Sequence, residues 1–406
     1  MKRFSILLLA LAFAVAIAAP AMAVHEGSLD TGPPPADMEE GWAMYGDYTL
    51  DAEDYTHRTD AQTQWYDDEF QFVIMVDRGP VTATVDLEVS DDENFEGSGK
   101  ARTGDLVDNY FVVYDAGARV EGLSFKVGEF GNSFHSKAIF YSEGGHQIGA
   151  IYSADFGKVG LYLGKKDETK SDPDADDDLI TFTLDIAKSI DFFKSLDFIY
   201  ASGSNEVTAG SEYDYSFFGG YAAFDIGPVP ITLEMGSVSD DRDPDTVGGN
   251  DGGQYFYMTA GFDEFVGFDL NLEYYNANED HGTMTFGDDD FFPLMIYGFR
   301  SGDNEALADV DLIMVSASYA VSDFLTLKGK VLVAGDEGNA VVNDDDGFAD
   351  YTNTNDSVGT EIDVHAIMKW AGNVTSTLTY ATWSPGDGYT PDDTATDIRL
   401  RTVFSW

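Results

Sequence analysis

The stretch Asp397-Ile398-Arg399-Leu400-Arg401-Thr402-Val403-Phe404-Ser405-Trp406 ends the 406-residue chain and decides how the rest of it is read. Counting back from Trp406, every second residue is apolar or neutral: Phe404, Thr402, Leu400 and Ile398. The positions between them, Asp397, Arg399, Arg401, Val403 and Ser405, are mostly polar. A period of two belongs to a strand whose side chains alternate between two faces, here one greasy and one wet. An edge strand of a soluble sandwich could carry the same pattern, so what precedes it has to decide.

The other end of the chain states the route of export. Lys2 and Arg3 are followed by an apolar run from Phe4 to Ala19 and by Ala21-Met22-Ala23, a small-x-small cleavage site. This reads as a secretory signal peptide over residues 1–23, with a Pro-rich leader over 24–40 that includes Pro33 to Pro35. No later stretch approaches the ~18 uninterrupted apolar residues of a membrane helix. A chain that enters a membrane without helices does so as strands closed into a barrel, because every backbone polar group must then be paired within the protein.

Composition excludes several classes. The chain has 22 Lys plus Arg against 74 Asp plus Glu, a formal net charge of −52, and the charge is more negative still once Lys2 and Arg3 leave with the signal peptide. Such a field repels nucleic acid. Halophilic adaptation, a cation-attracting pore and a calcium-laden surface all produce this excess, and composition does not choose among them. With no cysteine there is no disulfide framework, zinc ribbon or thiol nucleophile. Aromatics at 14% and 42 glycines fit the girdles and tight walls of a membrane barrel.

From residue 41 to 406 one rhythm repeats without a domain boundary. Phe70, Phe72, Ile74 and Val76 alternate with Gln71, Val73 and Met75; after an Asp77 to Pro80 turn, Val81, Ala83, Val85, Leu87 and Val89 alternate with Thr82, Thr84, Asp86 and Glu88. That is a hairpin with one apolar face. A first strand at 41–50 precedes it, with a loop to about Glu69. Further strands are expected at 109–117, 122–128, 147–155, 158–165, 179–187, 196–203, 213–226, 231–239, 254–262, 267–275, 309–320, 324–334, 361–370 and 373–383, before the closing one. Short polar turns and longer acidic loops alternate strictly between them. The expectation is an all-β protein, a transmembrane antiparallel β-barrel of about 16–18 strands with short periplasmic turns and long extracellular loops. A sandwich needs neither that alternation nor strands near the ~9–11 residues of a tilted membrane strand. Phe291 to Phe299 stays outside the count, because it has no hairpin partner and would make the total odd.

The closing strand resembles the terminal strand of bacterial outer-membrane barrels, which implies that Phe404 and Trp406 form an assembly signal for the barrel-insertion machinery. The run from Tyr110 to Asp155 resembles the general trimeric porins of Gram-negative bacteria: a Tyr-rich strand, then Gly122-Leu123-Ser124-Phe125-Lys126-Val127-Gly128-Glu129-Phe130-Gly131, then a return at Gly144-Gly145-His146-Gln147-Ile148-Gly149. The resemblance implies a homotrimer in the outer membrane, in contact with lipid and lipopolysaccharide. It also implies that the third long loop, Glu129 to Gly145, narrows the pore with Glu129, His135, Lys137 and Glu143. The acidity exceeds that usual for the family and leaves solute preference open.

A barrel of this size encloses water, so inward charges set selectivity. The strand phases put Lys126, Lys328, Lys330, Lys369, Arg399 and Arg401 inward, five of the six on the last four strands. They also put Asp86, Glu88, Asp185, Asp197, Glu234, Asp269 and Glu273 inward, from the strands opposite. The expected result is a basic strip facing an acidic wall; solvated residues at unrelated heights are the blander reading. His135 has no spaced partner for a metal. Asp172, Asp174, Asp176 and Asp178 have the spacing of a calcium loop but lack its Gly and terminal Glu. Weak divalent-cation binding that bridges these loops to lipopolysaccharide is their functional reading, solvated loop tips the bland one. No Walker loop, His-Glu-x-x-His or nucleophile–His–acid grouping is found among the six histidines and their surroundings, so no enzyme and no cofactor are expected. The leading expectation is a passive diffusion porin for small hydrophilic solutes. A substrate-selective channel for a small ion or organic acid comes second, and a secreted acidic calcium-binding surface-layer protein stands as the alternative from another class.

Overall fold

A computed structural model describes residues 41–56, 62–94, 107–133, 141–165, 178–186, 192–205, 213–240, 253–265, 267–277, 310–336, 341–342, 351–352, 359–370, 373–385 and 394–405. The expected signal peptide and leader, His135, Lys137, the Asp172 to Asp176 run, Phe291 to Phe299 and Trp406 lie outside the described residues.

The strands are β1 (Gly41–Thr56), β2 (Gln62–Arg78), β3 (Val81–Asn94), β4 (Val107–Asp115), β5 (Leu123–Ser133), β6 (Tyr141–Ala154) and β7 (Gly157–Lys165). They continue as β8 (Asp178–Asp185), β9 (Phe193–Asn205), β10 (Tyr213–Ile226), β11 (Val229–Asp240), β12 (Gln254–Phe265), β13 (Phe268–Ala277), β14 (Val310–Ala320) and β15 (Leu325–Asp336). Two-residue strands β16 (Val341–Val342) and β17 (Tyr351–Thr352) pair only with each other. The chain ends with β18 (Gly359–Trp370), β19 (Val374–Pro385) and β20 (Ala395–Ser405).

Eighteen of these strands form one sheet in which each pairs antiparallel with its neighbours in sequence. The terminal strand closes the sheet on the first, with Tyr48 opposite Phe404 and Leu50 opposite Thr402. Closure removes both sheet edges, so every strand finds backbone partners on both sides. Short connections, such as 79–80, 155–156 and 227–228, alternate with long ones, such as 95–106, 278–309 and 337–358. At the first short turn Gly79 adopts φ 68°, and its N–H donates to Asp77 Oδ1 at 2.9 Å.

The two faces of the wall differ as the alternation requires. Ile148 and Leu163 are 59% and 52% exposed, and Ile180, Phe218, Met235, Leu400 and Ile398 share that outward row. Such a surface is stable against hydrocarbon rather than water. On the inward row even the apolar residues Leu312 and Met314 are at or below 1% exposed, as is Glu361. At the short-turn end, outward aromatics pair across strands: Tyr48 with Phe404 at 6.1 Å between ring centroids, Phe324 with Trp370 at 4.9 Å, and Phe268 with Tyr319 at 5.7 Å. Amphipathic rings gathered at one level mark a membrane–water boundary.

The first hairpin is longer than expected. β1 and β2 stay paired from Gly41↔Asp77 to Thr56↔Gln62, so the connection is 57–61 rather than the expected loop to Glu69. The acidic residues of Leu50 to Glu69 suggested a loop, but the backbone pairing of β1 with β2 runs on through them to Thr56↔Gln62.

Candidate functional site

Each inward side chain is placed by strand register, which sets neighbours side by side across the wall. One rung runs Ser318 (β14), Lys328 (β15), His365 (β18), Thr379 (β19), Arg399 (β20). The next, toward the long-loop end, runs Ser316, Lys330, Asp363, Ala381, Asp397. A third brings Leu332, Glu361 and Trp383 together. Lys330 is 5% exposed and Asp363 only 1%. His365 is held by Nδ1 at 2.8 Å from Thr379 Oγ1. Charges buried this deeply are stable when opposite charges lie close by. Lys330 and Lys328 both interact electrostatically with Asp363 and, two strands away, with Glu273.

The wall continues through acids interleaved with tyrosines. Asp197 (β9), Tyr221 (β10), Glu234 (β11) and Tyr257 (β12) are successive register partners. Tyr257 donates to Glu273 Oε2 at 2.7 Å, Asn271 Nδ2 donates to Glu273 Oε1 at 2.7 Å, and Tyr255 donates to Glu234 Oε1 at 3.4 Å. Ser195 donates to Asp197 Oδ2. These hydroxyls and amides fix the carboxylates in place.

A separate feature sits on β4 and β5. Lys126 Nζ lies 3.9 Å from the ring centroids of both Phe111 and Phe130, a cation held over two aromatic faces. Gly128, at φ 145° between Lys126 and Phe130 on the same face, permits this packing. A Cβ there would fall 2.1 Å from the Tyr110 carbonyl oxygen.

The structure puts Lys126, Lys328, Lys330, Lys369, Arg399 and Arg401 on the inward row, with Asp86, Asp185, Asp197, Glu234, Asp269 and Glu273. Glu88 takes the next alternate position of β3 after Asp86. Gln71 Nε2 donates to Asp86 Oδ2 at 3.3 Å. The charges are not divided as expected, however. Glu361, Asp363 and Asp397 share the last strands with the basic residues, so that arc of the wall is interleaved rather than purely basic. The signal was available: the phase that turns Lys369 inward turns His365, Asp363 and Glu361 inward too.

The third long loop is also corrected. β5 extends to Ser133 and β6 begins at Tyr141, so the connection is 134–140 and not the whole of Glu129 to Gly145. Glu129 belongs to β5 on the outward row, opposite Tyr110 and His146, and Glu143 falls within β6. Tyr110 Oη is 2.9 Å from His146 Nε2. The Gly-Glu-Phe-Gly-Asn sequence looks like a strand exit, but Phe130, 2% exposed, anchors it as strand by packing at 6.0 Å on Phe111 and 6.2 Å on Tyr162. Among the described residues no group of three or more His, Asp or Glu is arranged to hold a metal ion.

No protein-family model and no curated protein sequence matches the chain. Among solved structures it is similar to a BenF-like porin from Pseudomonas fluorescens Pf-5, with a TM-score of 0.58 at 11% identity over 90% of this chain and 98% of that one. It is also similar to Pseudomonas aeruginosa OccK2 (OpdF) in complex with glucuronate, with a TM-score of 0.57 at 9% identity over 90% and 95% of the two chains. Pseudomonas aeruginosa OccK11 (OpdR) gives 0.55 at 13% identity over 91% and 98%. At these identities the likeness is one of fold: a closed barrel of the kind found in outer-membrane porins.

Proposed function

We propose that the chain is a solute-selective channel of the bacterial outer membrane, passing small polar or ionic solutes by passive diffusion. The observation that carries this reading is the inward face of β13 to β20, where Glu273, Lys328, Lys330, Glu361, Asp363, His365 and Arg399 converge behind an apolar outer wall. Buried charges of both signs at fixed heights suit recognition of a solute better than the unspecific sieving first expected from a general porin. The barrel fold shared with OccK2, whose structure contains glucuronate, supports the selective reading over the general one. In it the inward Lys, Arg, Asp and Glu residues line the solute path, Phe404 and Trp406 address the insertion machinery, and lipopolysaccharide surrounds the long-loop end. A homotrimer is the assembly proposed.

Planar-bilayer recording and gel mobility test this together. Purified protein is expected to give discrete conductance steps, and an unheated sample to run as a compact or oligomeric band that shifts on boiling. Absence of steps together with unchanged mobility would overturn the channel.

A further inference from the structure

We infer that the inward face of β15, β18 and β19 holds a bipolar subsite for a small zwitterion of the α-amino-acid type, bound by its ammonium at Asp363 and by its carboxylate at the Lys328 rung. This rests on the channel reading above and names the class of solute.

The first observation is an unmet demand. Asp363 is 1% exposed, and no N–H or hydroxyl of the described residues donates to either of its carboxylate oxygens; its side-chain hydrogen-bonding neighbour is the carboxyl of Glu361. Lys330 and Lys328 balance its charge through space, but neither donates to it. Glu361, two residues along the same strand, is another acceptor and is equally buried. A buried carboxylate that meets no donor is costly, and a solute that brings N–H groups to it recovers that cost on binding. An ammonium carries three donors and a positive charge, and it suits a site walled by two carboxylates.

The second observation is independent. His365 is 8% exposed; its Nδ1 is engaged by Thr379 Oγ1 at 2.8 Å, while Nε2 has no hydrogen-bond partner among the described residues. Thr379 thus fixes the ring and leaves its other nitrogen for the solute. His365 stands on the rung with Lys328 and Arg399, where the charge is positive. Asp363 stands on the next rung and Glu361 on the one beyond, where negative charge gathers.

The spacing selects among solutes. Like-facing residues two apart on a strand are separated by about 7 Å. A molecule whose ammonium and carboxylate are joined through one carbon keeps the two groups close enough to meet adjacent rungs, its charge-assisted hydrogen bonds of about 2.8 Å running obliquely to the strand. A dicarboxylate would set an anion against Asp363, and a simple amine would set a cation beside Lys328. Each leaves one half of the subsite opposed.

The test uses the purified full-length channel in planar bilayers at low salt, with L-alanine, lactate and ethylamine as probes of current block. Alanine is expected to half-saturate at a concentration about tenfold below lactate and ethylamine, and Asp363→Asn is expected to bring it about tenfold back toward them. Heat-modifiable migration establishes that the variant is folded. If Asp363→Asn does not assemble, Thr379→Val keeps every charge, releases the His365 ring and is expected to weaken alanine about threefold. Equal half-saturation by the three probes, or saturation by lactate alone, overturns the zwitterion subsite and leaves the channel standing. Absence of conductance from the parent protein overturns the channel and takes the subsite with it.

Discussion

On β18, Ile362, Val364 and Ala366 face outward, while Glu361, Asp363 and His365, one residue out of step, face inward. The outward side chains are open to the surroundings, with Ile362 at 40% exposure; the inward ones are all buried, although they are the charged and polar ones. This inverts the arrangement of a water-soluble sheet, where burial goes with apolarity. The strand is written for two media at once. Lipid accepts what water would expel, and the interior accepts charges because neighbouring strands bring their partners to a fixed height.

The largest effect is expected where the outward row ends the chain. Replacing both Phe404 and Trp406 by Ser is expected to leave export intact but to lower the folded outer-membrane protein more than about tenfold, since the first and last strands meet at the Tyr48–Phe404 contact. Ser405→Ala, between the two, is expected to change little. Quantitative blots of outer-membrane fractions check this, and normal levels of the double variant would remove the assembly role of these residues.

A smaller effect separates the faces by one chemical change made twice on one strand. Ile362→Lys puts an ammonium on the outward row, between Val331 and Thr382, and is expected to cost about 2 kcal/mol. Ile367→Lys puts it on the inward row, between Thr326 and Thr377, at an expected cost of less than about 1 kcal/mol. Equilibrium urea unfolding in lipid vesicles measures both. Equal costs would mean that the two rows do not face different media.

The faces were legible in sequence because lipid imposes a period of two over each strand, and a local rule can be read locally. Phe70 to Val76 against Gln71 to Met75 is an example: the structure sets the two rows on opposite faces of β2, with Gln71, Val73 and Met75 buried inside. The closing strand was legible for the same reason. Strand ends were less so. Glu129 lies among Gly and Asn, which ordinarily mark exits, and the packing of Phe130 on Phe111 and Tyr162 helps to keep that segment in the sheet. Least legible was which inward charges meet across strands. The electrostatic interaction of Glu273 with the two lysines of β15 depends on register across β14, and no single strand encodes it.

The smallest expected effect concerns ion preference, which reports the interleaving directly. Asp86, Asp185, Asp197, Glu234, Asp269, Glu273, Glu361, Asp363 and Asp397 outnumber the inward bases Lys126, Lys158, Lys328, Lys330, Lys369, Arg399 and Arg401, so the parent channel is expected to prefer cations modestly. At ~0.1 M salt the Debye length is about 10 Å and the wall charges act across much of the lumen; at ~1 M it is about 3 Å and only charges beside the ion path act. The preference is therefore expected to fall as salt rises. Replacing Lys328, Lys330, Arg399 and Arg401 by Gln removes four of the five bases of an arc that also carries Glu361, Asp363 and Asp397, and is expected to raise the cation-to-anion permeability ratio about two- to threefold at ~0.1 M. Had the basic residues formed an isolated strip, the same change would only weaken a positive local field. Because Glu361, Asp363 and Asp397 stand among them, it leaves that arc net negative, which favours cations. Zero-current potentials in a KCl gradient measure it. A parent that prefers anions, or a fourfold variant with an unshifted potential, would show that these side chains do not face the ion path.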